Sequence, residues 1–463
     1  MQKALIRLSL SVPLLLLPSL LNAQETAAPP TVPAQIDLQD GDTLVFLGDS
    51  ITHQRLYTQY VEDFFYQRFP DRRIRFHNAG IGGAQAWDAL ARIGRDVLQY
   101  KPRYVTILLG MNDGRYQPFN QEIFARYKQD MTRLLDELRA GGSVPIVMSP
   151  TMFDARAARL RSNPRRPRSE ETLSEYNSVL AYYGRWLQDQ ACEQGLSYVD
   201  MFGPLNDLTM EARETDASFT MIRDAVHPDP PGQIVMAYAL IDDLGLRKPL
   251  SNIRIQTNGK GELRANASGG EVTDLQRTTT GLTFKWHADG LPWVVPEEAA
   301  EGVDLLKLGH RATKEGLEVH GIGPGRYDLL IDGEVVGSYW ESALARHIEL
   351  QNNTKTPQYQ QALRVAMLNK QKNEGPVKEL RDAWRLFQSW ARMDRDLHSG
   401  ELSGGAAEDT AKRAAAARKQ LKSLEQKIVD AEAAAKKIED EIYRVNQPVV
   451  RQFELRRTTT KRN

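Results

Sequence analysis

Cysteine is almost absent from this sequence. Cys192 is the only one in 463 residues, so no disulfide can form within the chain. The helical pattern around Cys192 predicts a packed rather than a reactive thiol. Net charge is absent too. The 60 Lys plus Arg balance 60 Asp plus Glu, which removes the basic field that a nucleic-acid partner requires. A hydrophobic content of 41% suits a packed core and excludes a polytopic membrane protein. His287, His310, His320, His347 and His398 lack metal-ligand spacing. The glycines at 80–83 lack the Lys-Ser/Thr that would follow in a phosphate loop. These absences predict no metal, no cofactor and no nucleic-acid partner.

The one long apolar run lies at the start. Lys3 and Arg7 precede Leu8 to Leu21, and Asn22-Ala23-Gln24 follows. This is the pattern of a secretory signal peptide over 1–23, cleaved after Ala23 and short for a membrane span. No cysteine follows the run to carry a lipid anchor. The expectation is an exported chain, periplasmic or extracellular, with no transmembrane span after cleavage and no disulfide, and therefore held by its core. Residues 24–40, rich in Ala, Pro and Thr, read as a linker.

From 41 to 249, short apolar runs alternate with helical patterns. Leu44-Val45-Phe46-Leu47 ends at Gly48-Asp49-Ser50, Arg73 to Asn78 runs into Ala79-Gly80-Ile81-Gly82-Gly83, and Tyr104 to Leu109 ends at Gly110-Met111-Asn112-Asp113. Pro145 to Met148 and Leu196 to Asp200 complete five strands. Tyr57–Phe69 (an amphipathic pattern), Ala84–Tyr100, Gln121–Ala140, Glu171–Gly195 and Gly232–Leu244 read as helices. Such alternation predicts an α/β fold, a parallel sheet covered on both faces.

The remainder differs in character. A β-rich region spans 250–345, with a hairpin signal at Asp332-Gly333. Helical periodicity returns over 346–398, where Trp384, Phe387 and Trp390 form a stripe expected in a core. A small-residue linker covers 399–410. Residues 411–447 carry an apolar heptad stripe from Ala414 to Val445, predicting a coiled-coil helix that pairs within the chain or with a second copy. The basic tail, 448–463, is expected to be disordered over Arg456 to Arg462.

The strand ends of one parallel sheet face a common crevice. They deliver Ser50, the glycines at 80–83 and Asn112, and Asp224-Ala225-Val226-His227 arrives later. A serine hydroxyl needs an adjacent base, which His227 can supply, with Asp224 accepting from its other ring nitrogen. A developing oxyanion needs donors: the Ser50 N–H, a glycine N–H and the Asn112 amide. Asp49 is expected to hold the turn, Asp113 to stabilise the Asn112 loop and His77 to be structural. His53 is a candidate for the pocket or for a helix surface. Arg156, Arg159, Arg161, Arg165, Arg166 and Arg168 form a solvated loop or a rim that attracts an anionic substrate.

Gly48-Asp49-Ser50, Asn78 to Gly83, Gly110 to Asp113 and Asp224 to His227 occur in order. Together they resemble the four signature blocks of the SGNH hydrolase (GDSL-type esterase/lipase) superfamily, over about 40–248. The resemblance implies a flavodoxin-like three-layer α/β/α sandwich. It also implies Ser50 as nucleophile, His227 as base, Asp224 as its orienter, and an oxyanion hole of Ser50, Gly83 and Asn112. Gly82 is the fallback for Gly83, and His53, Gly82 and Met111 are pocket candidates. The opening block reads Gly-Asp-Ser-Ile, a variant common among members resembling carbohydrate esterases. The function this implies is a serine esterase acting on short acyl, foremost acetyl, esters of carbohydrate or small molecules. The alternatives are a lipase, lysophospholipase or thioesterase of the same fold, or a non-catalytic cell-envelope scaffold.

Overall fold

A computed structural model describes residues 36–161, 167–258 and 261–458. The signal segment, most of the N-terminal linker, Arg165, Arg166 and residues 459–463 lie outside the described residues.

Five parallel strands form the central sheet in the order β2-β1-β3-β4-β5. They are β1 (Thr43–Gly48), β2 (Arg75–Gly80), β3 (Tyr104–Leu108), β4 (Val144–Met148) and β5 (Ser197–Val199). Every residue of β1 is buried, as expected for a run of β-formers at the middle of a sheet covered on both faces. The helices on this sheet are α1 (Ser50–His53), α2 (Leu56–Arg68), α3 (Ala86–Asp96), α4 (Gln121–Ala140), α5 (Ala155–Leu160), α6 (Glu170–Gln194), α7 (Gly203–Arg213) and α8 (Pro230–Asp243). The fold is flavodoxin-like α/β. Ile36 and Leu38, at the end of the expected linker, are buried in its core.

Two further sheets follow. Strands β6 (Ser251–Thr257), β7 (Leu263–Ser268), β8 (Gly270–Arg277), β9 (Gly281–Ala288), β10 (Glu315–Val319), β11 (Arg326–Ile331), β12 (Glu334–Trp340) and β13 (Ile348–Glu349) are interrupted by α9 (Ala300–Leu306), α10 (Leu308–Ala312) and α11 (Glu341–Arg346). One sheet has the order β13-β10-β6-β7. The β11–β12 hairpin turns on Asp332 and Gly333, both at positive φ (52° and 87°), the geometry of a two-residue hairpin loop.

The chain closes with α12 (Pro357–Lys372), α13 (Lys378–His398), α14 (Gly404–Gln420), α15 (Leu424–Val445) and β14 (Arg451–Arg457). The backbone kinks at Gly375-Pro376 between α12 and α13, because Pro376 cannot donate to the helical ladder. α14 and α15 fold back along α13 and α12. Ala414, Ala417, Leu424, Ile428, Ala431 and Ile442 of the heptad stripe are buried there, against the same chain.

Three expectations are corrected. α2 is not amphipathic in use: Tyr57 through Gln67 are all buried. Its polar face is covered by α12, where Asn369 donates to Asp63 (2.8 Å) and Lys372 pairs with Glu62 (3.0 Å). The tail is ordered through Arg457: β14 lies between β11 and β9 in the sheet β12-β11-β14-β9-β8. Alternate residues Phe453 and Leu455 enter the core between the two sheets, which holds the basic residues around them in place. Cys192 is exposed, not packed, because the buried face of α6 at that turn is carried by Leu187 and Ala191.

Candidate active site

Strand β1 delivers its last residues to the crevice. Gly48 permits the turn: a Cβ there would stand 2.1 Å from Thr52 Oγ1. Asp49 caps α1, its Oδ1 accepting from Ile51 N–H at 2.9 Å. The turn is held from β2, where Asn78 donates to Thr52 O (2.8 Å) and to Thr58 Oγ1 (3.1 Å) and accepts from Gly80 N–H (2.9 Å). Gly80 packs so closely that a Cβ would lie 2.4 Å from His53 N.

Ser50, at the start of α1, meets a loop 177 positions away. Its Oγ lies 2.7 Å from His227 Nε2. His227 Nδ1 lies 2.7 Å from Asp224 Oδ2, and Asp224 Oδ1 accepts from His227 N–H (2.7 Å) and Val226 N–H (3.0 Å). The carboxylate is thereby fixed by its own loop. That loop carries a non-glycine residue, Ala225, at φ 75°, a conformation that costs about 1–3 kcal/mol and persists where surroundings impose it. Asp154 N–H donates to Ala225 O (3.0 Å), and Asp154 is itself held by Arg213 at 2.7 Å.

The electrostatics follow from these contacts. Burial opposes charge on His227. The hydrogen bond to Asp224, its charge and that of Asp49 outweigh it, and the imidazole sits above its ordinary pKa. Burial also opposes charge on Asp224, but the hydrogen bonds from His227 and Val226 bring its carboxyl down to about 2. Burial raises Asp49 to about 6, partly offset by Ile51 N–H and His227. The same desolvation raises Asp113 to about 7. Asp113 caps α3 by accepting from Ala86 N–H at 2.9 Å.

Asn112 and the glycine loop complete the crevice. Asn112 Nδ2 donates to Ala84 O at 3.1 Å and makes a longer, 3.4 Å contact with Asp49 Oδ2. Gly83 has φ +73°, with open space where a Cβ would stand. Among the described residues, the backbone N–H groups of Ser50 and Gly83 have no hydrogen-bond acceptor in the chain. A serine hydroxyl bonded to an imidazole, beside unpaired backbone donors, is an arrangement suited to acyl transfer.

The structure sends other candidates elsewhere. His53 sits between Gly80 O (Nδ1, 3.2 Å) and Asp382 of α13 (Nε2, 3.8 Å). Burial lowers its pKa to about 4, so it is neutral at pH 7. Met111 is buried in the core, its carbonyl accepting from Tyr176 Oη at 2.6 Å. His77 is buried against Asp96 at 3.2 Å. Arg159 pairs with Glu170, Arg156 and Arg161 are exposed, and Arg168 stacks on Tyr116 with its guanidinium 3.8 Å from the ring centroid. Tyr116 Oη reaches Asn112 Oδ1 at 3.3 Å.

Sequence reasoning missed the contribution of α13. Gln388 Nε2 donates to Gly82 O (3.2 Å), and Arg392 donates to Gly83 O (2.6 Å) and to both oxygens of Asp88 (2.7 and 2.6 Å). Arg381, deeper on the same helix, reaches Asp96 at 2.9 and 3.0 Å. The available signal was polar residues at 381, 388 and 392 interleaved with Trp384 on one helical face.

Comparison with known proteins adds three likenesses. Residues 46–234 match the GDSL-like Lipase/Acylhydrolase family. Over 226 residues, 44% of this chain and 94% of the relative, the chain is 27% identical to an acetylxylan esterase of Geobacillus stearothermophilus. BT4096, described as a gut microbial diltiazem-metabolizing enzyme, has the same fold. Its TM-score is 0.71 over 92% of this chain and 100% of its own, at 24% identity.

Proposed function

The chain belongs to the SGNH hydrolase superfamily and is a carboxylic ester hydrolase, and we propose that it works through an acyl-enzyme on Ser50. The observation that carries this reading is the continuous relay from Ser50 Oγ to His227 Nε2 and from His227 Nδ1 to Asp224, each at 2.7 Å. His227 takes the serine proton as Oγ attacks the ester carbonyl. Asp224 fixes the tautomer and stabilises the imidazolium that forms. The imidazolium then protonates the leaving alkoxide, and its neutral form activates the water that releases the acid. The oxyanion of each tetrahedral intermediate is received by Ser50 N–H, Gly83 N–H and Asn112 Nδ2. The second Asn112 proton, held only by the 3.4 Å contact with Asp49, turns to it. Losing one such donor costs about 2.7–4 kcal/mol of transition-state stabilisation.

The substrate we propose is a short acyl ester, foremost acetyl, on carbohydrate. The activity named for the Geobacillus relative supports it. The Ser50–His227 contact weighs against a non-catalytic scaffold. The Lys3/Arg7–Leu8–Ala23 pattern supports export. Among the described residues, no helix is long and apolar enough to cross a membrane.

The test is hydrolysis of p-nitrophenyl acetate, butyrate and octanoate by wild type and Ser50→Ala, followed by acetate release from acetylated xylooligosaccharides. Loss of activity in Ser50→Ala with acetate preferred agrees with the proposal. A preference for octanoate overturns the short-acyl assignment, and an active Ser50→Ala overturns the nucleophile.

A further inference from the structure

We infer that Gln388 and Arg392 of α13, contributed by the C-terminal helical arm, are positioning residues for the oxyanion loop, and that Gln388 aims the Gly83 N–H. The inference rests on the reading of Gly83 as an oxyanion donor.

The carbonyl of Gly82 and the N–H of Gly83 belong to one planar trans peptide, so they point in opposite directions. Whatever holds the Gly82 oxygen therefore sets where the Gly83 hydrogen points. That oxygen accepts from Gln388 Nε2 at 3.2 Å. The next carbonyl, Gly83 O, accepts from Arg392 Nη2 at 2.6 Å. The one after, Ala84 O, accepts from Asn112 Nδ2 at 3.1 Å. Three successive carbonyls of the loop are tied, two of them by a helix more than 300 positions away in sequence.

The loop needs such ties. Gly82 and Gly83 have no side chains to pack, and a Cβ at either would meet nothing within 4 Å. Within the loop itself, Ala84 N–H donates to Ile81 O at 3.1 Å. Glycines pay the largest conformational entropy when fixed, so an unbraced loop would spread the Gly83 N–H over several directions. Preorganised donors stabilise an oxyanion because they need no reorientation during the reaction.

Gln388 is built for one contact. It is buried, and among the described residues its one hydrogen bond is to Gly82 O, with Oε1 left unpaired. Arg392 forks onto Asp88. Asp88 Oδ2 also accepts from Gln85 N–H at 2.8 Å, which locks the start of α3 to the end of the loop. The helical arm is thereby part of the apparatus that shapes the oxyanion site, though it supplies no atom to the reacting centre.

The experiment compares full-length wild type, Gln388→Met, Gln388→Glu and Ser50→Ala on p-nitrophenyl acetate, with thermal melting of each. Methionine fills the same space without a donor. Glutamate keeps the shape and sets an acceptor against a carbonyl, and it serves if the methionine variant does not fold. The methionine variant is expected to melt near wild type and the glutamate variant, which buries an unpaired carboxylate, below it but folded at the assay temperature. Both should lose about 10-fold in kcat, less than the 10²–10³-fold of a deleted donor, because Gly83 N–H is misaimed and not removed. KM should stay within about twofold, since the donor acts on the transition state. Inhibition by phenylboronic acid, which forms a tetrahedral adduct on a nucleophilic serine, should weaken by the same factor as kcat. A packing role would leave kcat and boronate affinity unmoved. Folded variants with wild-type kcat beside an inactive Ser50→Ala overturn the role of Gln388 alone, as does a rise in KM at constant kcat. An active Ser50→Ala overturns the functional reading beneath it.

Discussion

The most exacting prediction concerns the buried charge cluster that joins α13 to the catalytic domain. The side chains of Asp96, Arg92 and Arg381 are each 0% exposed. Asp96 accepts from Arg92 at 2.5 Å and from Arg381 at 2.9 and 3.0 Å. Burial works against its charge, but the two guanidiniums and the His77 bond hold its carboxyl far below the usual range. Asp96→Asn would leave two guanidiniums buried without a counter-charge. Breaking a buried pair in this way costs about 3–5 kcal/mol, and at about 2–4 °C per kcal/mol in a domain of this size the melting temperature should fall by roughly 6–20 °C. Arg381→Met should cost less, about 1.5–3 kcal/mol for the lost charged hydrogen bonds, because Asp96 and Arg92 remain a matched pair. The double variant should cost less than the sum of the two. Urea denaturation and thermal melting of the three variants measure all of this. The depressed carboxyl also fixes the sign of a pH effect. Its stabilisation is complete above the unfolded carboxylate pKa of about 3.9 and is lost as pH falls from there towards the folded value. A greater loss in Arg381→Met than in Asp96→Asn, or a cost below about 1 kcal/mol for Asp96→Asn, would mean that Asp96 does not neutralise the two guanidiniums.

Four further outcomes follow from the site and the sheets. The acid limb of the kcat/KM profile should lie above the ordinary imidazole value of about 6.5, because His227 acts as a base only when neutral and its pKa is raised. Asp224→Asn should move that limb to lower pH and reduce kcat by up to about 10⁴-fold, read from a pH–rate series. Gly80→Ala forces a Cβ to 2.4 Å from His53 N, and should cost about 1–3 kcal/mol in urea denaturation while displacing α1 and lowering activity. A chain ended at Val450 lacks β14 and leaves β9 and β11 unpaired along their facing edges. It should be recovered mainly as aggregate, measured as soluble yield against full length.

The α/β half and the crevice were legible because their signals are local. A run such as Val45-Phe46-Leu47 is buried on both faces, and Gly48 and Asp49 mark the turn after it. Asp224 and His227 sit at a spacing that lets the carboxylate curl onto Nδ1, and the structure shows that contact at 2.7 Å. The Asp332-Gly333 hairpin was readable for the same reason. What escaped depends on distant partners. The polar face of α2 reads as solvent-facing until Asn369 and Lys372 of α12 cover it. Gln388 and Arg392 resemble a hydrated helix surface until the loop at Gly82 and Gly83 is set against them. The tail's charge suggested disorder, but the alternation of Phe453 and Leu455 carried more weight than Arg456 and Arg457.

The placement of β14 also sets a clock. Phe284 of β9 pairs with Phe453 of β14, about 170 positions later, so the sheet cannot zip when β9 and β11 are made. At a synthesis rate of about 5–20 residues per second, their open edges wait roughly ten to thirty seconds for the missing strand. During that interval the chain displays two strand edges able to pair with any neighbour. The topology thus leaves both edges open until Arg457 has been made, and closes them only with the last strand of the chain.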